Sequence, residues 1–157
     1  MIDVLVPMLG RPDSVEPLVA SFEQHAPTNA EIVFLLSPGD DTNNKVCRDI
    51  GVRAEMMDFP AGRSDYARKM NEGARRTNRQ WVFLGASDIE FTESWCVALE
   101  RDADVIATND TKNSQVRRGL FGTHCFVRRT YIDAHDEFLH EGYDHNFVDR
   151  ELCGWAK

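Results

Sequence analysis

Short apolar runs alternating with stretches of helical period constrain this chain more than any other feature. Ile2–Val6, Glu31–Leu36, Arg53–Met57, Trp81–Leu84, Asp104–Thr108 and His124–Val127 read as strands. Several are apolar throughout, the pattern of strands covered on both faces. Between the first two, Val15, Leu18, Val19 and Phe22 fall at i, i+3, i+4 and i+7, one face of a helix. Asp13 with Glu16 makes a start like a capping box, and Pro27 marks a stop. A second helix is expected from about Asn43 to Ile50, ended by Gly51. A third spans roughly Asp65–Arg76, capped by Ser64 or Asp65, and a fourth after Thr92 carries Trp95 and Leu99 inward. This βαβα order predicts an α/β three-layer sandwich, Rossmann-like, with a mostly parallel central sheet. Ligands of such sheets sit beyond the carboxyl ends of the strands. The loops at Pro7–Pro12, Ser37–Asp41 and Gly85–Phe91 should therefore converge on one site.

A chain of 157 residues is the size of one compact unit, so residues 1–157 are expected to form a single domain. Asp and Glu outnumber Lys and Arg by 26 to 18, a net charge of −8. That balance excludes a passive, charge-driven binder of nucleic acid, which needs concentrated cations to neutralise phosphate. It leaves open a nucleic acid as the substrate of a local site. The basic residues do cluster, over Arg63–Arg79 and at Arg117, Arg118, Arg128 and Arg129, where a solvated helix face is the plain alternative. The four cysteines are far apart and form no CxxC pair, which fits free buried thiols in a reducing compartment. No basic and apolar leader opens the chain, and no run approaches the ~20 apolar residues of a membrane span. The expectation is a cytoplasmic protein.

Five segments carry candidate chemistry. Pro7-Met8-Leu9-Gly10-Arg11-Pro12 is a stiffened loop in which the planar fork of Arg11 suits a phosphate; a turn with an exposed arginine is the alternative. Ser37-Pro38-Gly39-Asp40-Asp41 places a hydroxyl at a strand end, or is simply a polar turn before a helix. In the segment from Gly62 to Ala74, Tyr66, Met70 and Ala74 lie four apart and should pack on the sheet. Arg63 and the helix start could hold a diphosphate, because unpaired amides and the helix dipole favour anions there. Asn71, beside the packing face, is costly unless its amide finds partners.

The fourth segment, Trp81 to Phe91, runs a buried strand into a small-residue loop that bears Ser87, Asp88 and Glu90. Carboxylates there could hold Mg²⁺ or Mn²⁺ against a leaving diphosphate. Asp88 and Glu90 point to opposite faces if extended, which favours Asp88 alone as the ligand. An acidic approach to the next helix is the competing reading. In the fifth, His140 to Leu152, helical spacing makes His145 and Asp149 neighbours and puts Val148, Leu152 and Trp155 on a buried stripe. A carboxylate there could take a proton from a hydroxyl, with the histidine tuning it or binding metal. A solvated His–Asp pair is the alternative.

Taken in order, IDVLVP, EIVFLLSPGDD, YARKMNEGA, WVFLGASDIEF and YDHNFVDREL resemble the inverting family 2 glycosyltransferases of GT-A fold over essentially the whole chain. The resemblance implies a donor nucleoside diphosphate sugar, a divalent cofactor (Mn²⁺ or Mg²⁺) and an acceptor hydroxyl of unknown class. It places Pro7, Arg11 and Ser37 at the nucleotide and Asp88 at the metal, and matches Asn71 to a family stretch. Arg63, Asn71 and Ser87 are taken as further nucleotide candidates and His145 as a second metal candidate. Asp149 is then the catalytic base and Glu151 the second choice. Two departures stand out. Ser37 replaces the aspartate that the family usually sets against uracil, and the Asp-x-Asp motif is eroded to Gly85-Ala86-Ser87 with Asp88 following. Larger members continue with acceptor-binding helices, so the expectation here is either minimal acceptor recognition or completion by a partner chain or a second copy. The competing readings are a degenerate GT-A domain that binds a nucleotide or protein partner without catalysis, and a nucleotidyltransferase. The latter lacks support, because Pro7–Pro12 has no glycine-rich loop with a lysine.

Overall fold

A computed structural model describes residues 1–110, 112–143 and 148–155, save the side chains of Ala98, Asp149 and Trp155. Six strands form one sheet: β1 (Ile2–Pro7), β2 (Ala30–Leu36), β3 (Arg53–Met56), β4 (Trp81–Leu84), β5 (Val105–Ala107) and β6 (Cys125–Arg128). Their order is β3-β2-β1-β4-β6-β5. β3, β2, β1 and β4 run parallel, while β6 is antiparallel to both β4 and β5. All six strands lie where the apolar runs put them.

The chain winds outward from β1 to β2 and β3, then returns to place β4 on the other side of β1. That reversal opens a crevice between the carboxyl ends of β1 and β4, the place where such sheets take ligands.

Helices cover both faces. α1 (Val15–His25) and α2 (Asp41–Asp49) lie on one side, where Val15, Leu18, Phe22 and Cys47 meet Val4, Val6, Phe34 and Phe83. α3 (Asp65–Arg75), α5 (Arg129–Asp133) and α6 (Val148–Trp155) cover the other, with Met70, Ala74, Ile132 and Leu152 against Leu5, Leu35, Val82 and Val127. A short helix, α4 (Ser114–Arg117), sits between β5 and β6. Val4, Leu5 and Val6 alternate between the two cores, which is why this stretch of the first strand is apolar on both faces. Buried Asp3 is the polar exception and pairs with Arg79. Each Leu or Phe so buried stabilises the fold by roughly 1.5–3 kcal/mol.

Local starts and stops differ from expectation in instructive ways. A single 3-10 turn over Pro12–Ser14 precedes α1, so Asp13 is no cap; instead the Ser14 hydroxyl donates back to the Arg11 carbonyl at 2.8 Å. α2 begins earlier, because the Asp40 carboxylate caps it by accepting from the Asn43 amide. Ser64 precedes α3 in the left-handed region, φ 59°, and caps nothing. The helix expected after Thr92 is only a 3-10 turn over Val97–Glu100. Trp95 nevertheless goes inward, stacking on Phe126 and packing edge-on to Phe83 and Phe91. Aromatic burial, rather than helix propensity, holds that segment.

Candidate active site at the strand ends

α3 is the element that draws the strand-end loops together. It lies close to the sheet because Gly73 has no side chain: a Cβ there would sit 2.7 Å from Leu35 Cδ1 and 3.2 Å from Leu5 Cδ1. On the same helix Lys69 is fully buried. Its ammonium donates to the Met8 carbonyl at 2.6 Å and pairs with Asp65 Oδ2 at 2.8 Å. An unpaired ammonium could not remain charged in that position. The loop after β1 is also tied to β2, since Met8 N–H donates to the Leu35 carbonyl at 3.0 Å.

Beyond β4 the chain turns at Gly85, whose N–H donates to Leu5 O at 2.9 Å. A Cβ at Gly85 would fall 2.9 Å from that same oxygen, so the turn needs glycine. Tyr66 at the start of α3 reaches Gly85 O at 3.4 Å. The loop then presents Asp88, which lies 3.8 Å from Arg11 Nη1 across the crevice. Both are open to water, at 72% and 63% exposure, so the pair itself adds little stability. Their importance is positional: one carboxylate and one guanidinium from two loops share the crevice mouth.

Ser37 sits just past the end of β2, 4% exposed, and its Oγ has no partner among the described residues. Asp65 is 8% exposed, and its Oδ1 is likewise unmatched while Oδ2 holds Lys69. Buried groups left without a hydrogen bond cost free energy, so each marks a place where a ligand or water belongs.

The other expected residues scatter more. Pro7 closes β1 with its ring half-buried, and Ser87 lies in the loop just before Asp88, also half-buried. Arg63 is exposed and reaches Gly142 O at 3.5 Å. Asn71 is 2% exposed, and its amide is used within the protein. Nδ2 donates to Leu139 O at 2.8 Å and Glu141 Oε1 at 3.0 Å, and Oδ1 accepts from Leu139 N–H at 3.1 Å. Ser64 joins the same latch, its hydroxyl donating to Glu141 O. Asn71 thus found the partners its position demanded, in segment 139–141 rather than facing the strand ends. Glu151 lies in α6 with Oε2 buried and unmatched. Asp149 belongs to the same helix with its side chain outside the described set, and His145 lies outside the described residues.

Three residues with a claim on the site were not legible as such. Lys69 was hidden in a basic helix, although its i, i+4 spacing to Asp65 was the available signal. Asp65 itself was read only as a helix cap. His124 immediately precedes β6, and its Nδ1 lies 3.0 Å from Leu84 O, at the end of β4. Only the antiparallel β4–β6 pairing brings it there.

Most of the basic cluster over Arg63–Arg79 proves structural. Arg76 pairs with Glu72 at 2.8 Å and Asp58 at 2.9 Å, and Arg79 with Asp3 at 3.2 Å. Arg76 holds the Glu72 carboxyl below its ordinary range, chiefly through their hydrogen bond. A cavity of about 530 Å³ opens at the far end of α3, by Thr77, Asn78 and Arg129. Its arginines are already committed, Arg75 to Asp136 O and Arg129 to Ala74 O, and it lies where β4 begins rather than where it ends. Among the described residues, none that lines this cavity carries a buried unmatched side-chain atom.

No family model and no curated protein matches the chain. Solved structures do. S. aureus TarS (residues 1–349, with UDP) superposes with a TM-score of 0.75 at 16% identity, over 99% of this chain and 54% of that one. The mannosyltransferase PcManGT from Pyrobaculum calidifontis, with GDP-Man and Mn²⁺, gives 0.74 at 11% identity, over 99% and 52%. Glucosyl-3-phosphoglycerate synthase from Mycobacterium tuberculosis, with Mn²⁺, UDP-Glc and phosphoglyceric acid, gives 0.59 at 13% identity, over 83% and 57%. The chain spans about half the length of each. These neighbours are nucleotide-sugar glycosyltransferases, and the fold here is the GT-A fold.

Proposed function

We propose that this GT-A chain, residues 1–157 acting as one unit, transfers a sugar from a nucleoside diphosphate sugar to an acceptor hydroxyl with inversion. The observation that carries the reading is the crevice between β1 and β4, where Arg11 and Asp88 stand 3.8 Å apart on two loops. Arg11, with Arg63 at the start of α3, clamps the diphosphate, since a planar guanidinium matches phosphate oxygens in pairs. Ser37, with its unmatched hydroxyl, and Pro7 line the nucleotide side, and Ser87 approaches the phosphates from the β4 loop.

Among the described residues no three His, Cys, Asp or Glu side chains converge as an ion cage. Asp88 alone still suits Mg²⁺ or Mn²⁺, because such ions commonly take one or two carboxylates plus substrate phosphates. Asp88 would hold the ion, with His145 a candidate second ligand. When bound, the ion supplies positive charge against the diphosphate as it leaves. Asp149, or Glu151 two residues further along α6, takes the acceptor proton while the acceptor oxygen attacks the anomeric carbon opposite the leaving group. Asn71 acts at one remove, holding segment 139–141 beside α3.

Calorimetry with UDP-, GDP- and dTDP-sugars, with and without Mn²⁺, followed by a nucleotide-release assay, tests this reading. Cation-enhanced binding with release supports transfer. Binding with no release for any acceptor points to a degenerate, binding-only domain, and the absence of any binding overturns the proposal.

A further inference from the structure

His124 has no part in the chemistry above, yet it is held as a binding residue is held. Its Nδ1 lies 3.0 Å from the Leu84 carbonyl. A carbonyl oxygen only accepts, so Nδ1 carries the hydrogen, and in the neutral ring Nε2 is left with its lone pair. Nε2 has no partner among the described residues and is not among the buried unmatched atoms. The ring is fixed from several sides. It lies against Phe83, centroids 6.3 Å apart, and the His124 carbonyl accepts from both Thr108 N–H and Thr108 Oγ, each at 2.9 Å.

Position gives the lone pair its meaning. Phe83 pairs with Phe126 in the antiparallel ladder, so continuing that register sets His124 opposite Gly85. Gly85 opens the loop to Asp88. His124 therefore stands on the β6 side of the same sheet edge that holds Arg11 and Asp88.

We propose that His124 Nε2 accepts a hydrogen bond from a hydroxyl of the sugar in the bound donor. The inference rests on the proposed function for the identity of its ligand. A pre-oriented acceptor with no protein donor matches a hydroxyl, and a polyhydroxylated ligand is the class that offers one. A cation is the other partner for such a nitrogen, and the Mn²⁺ measurement below tells the two apart.

His124→Asn separates the two ring nitrogens. Its side-chain amide can still donate to Leu84 O in place of Nδ1–H, but nothing replaces Nε2. His124→Phe removes both and keeps only packing on Phe83. Calorimetry on the full chain would compare UDP with UDP-sugars and GDP with GDP-sugars. The expected result for His124→Asn is unchanged binding of the nucleoside diphosphate and an affinity for the sugar nucleotide lowered by about three- to tenfold, the range of one hydrogen bond. Equal loss for both ligands, or none for either, overturns the assignment. Loss of binding to Mn²⁺ alone in His124→Asn also overturns it, in favour of a cation ligand.

One readout needs no ligand. In ¹⁵N-histidine spectra of the wild-type chain, His124 should show hydrogen on Nδ1 and a bare Nε2; the opposite tautomer sinks the proposal. If no sugar nucleotide binds the wild type, the proposed function fails while the tautomer measurement still decides whether the acceptor exists.

Discussion

The buried ammonium of Lys69 donates to the carbonyl of Met8 at 2.6 Å, joining the middle of α3 to the loop that leaves β1. Asp65 balances its charge one helical turn earlier, at 2.8 Å. The pair thus does two jobs in one place: it neutralises a charge in the core and fixes the loop that carries Arg11.

Lys69→Met should therefore be costly. It leaves Asp65 as a buried charge and Met8 O without a donor, and removal of one partner of a buried pair costs about 3–5 kcal/mol. Urea unfolding measures it. Lys69→Met combined with Asp65→Leu should recover much of the loss, because an apolar pair has no charge to strand. A single variant within about 1 kcal/mol of wild type would show that the ammonium is solvated.

Asp88→Ala should separate catalysis from folding. The side chain is 72% exposed and its ion pair with Arg11 spans 3.8 Å, so the melting temperature should stay close to that of wild type, in keeping with the small worth of exposed pairs. Cation-dependent release of nucleotide should fall to background. Undiminished release in that variant removes Asp88 from the chemistry.

Gly73→Ala pits two effects against each other. Alanine in a helix interior gains roughly 0.5–1 kcal/mol over glycine. Here its Cβ meets Leu35 Cδ1 at 2.7 Å in a packed core, and overpacking costs about 1–3 kcal/mol. The clash should win, giving net destabilisation by about 1–2 kcal/mol in denaturant melts. A more stable variant would mean that α3 can ride up from β1 and β2.

Cys47 links stability to alkaline pH. Burial, with a lesser push from Asp40, raises its thiol from an ordinary 9.0 to about 11. A raised folded-state value means the buried neutral thiol favours folding below pH 9. That contribution is then lost as pH climbs toward about 11. The melting temperature should drop over this window, and Cys47→Val should drop less. Iodoacetamide at pH 8.5 should spare Cys47 until the protein unfolds; its prompt alkylation would contradict the burial.

Much of the fold could be read from one-dimensional pattern. Strands covered on two faces carry unbroken apolar runs, so residues 4–6 and 32–36 announced themselves. Helices with one wet face showed their period at Val15, Leu18, Val19 and Phe22. Caps were less legible, because Asp13, Ser14, Asp40 and Ser64 all suit a helix start, and only the real backbone angles choose among them. The site was partly legible. Arg11 and Asp88 stood out as polar residues just beyond apolar strands, and the structure brings them together. Asn71 stood out for a sound reason, a buried amide needing partners, yet the partners came from 68 residues away.

By itself the sequence determined the layers: the alternation of buried strands and one-sided helices leaves an α/β sandwich as the arrangement that covers every apolar face. What only the tertiary structure decided was company. Strand order, the reversed direction of β6 and the closeness that Gly73 permits put Lys69 on Met8, Asn71 on Leu139 and His124 on Leu84. Periodicity records which side of an element is buried, because that is a local property of each residue. It holds no record of which distant group a polar side chain will meet, because that contact exists only once the sheet has closed.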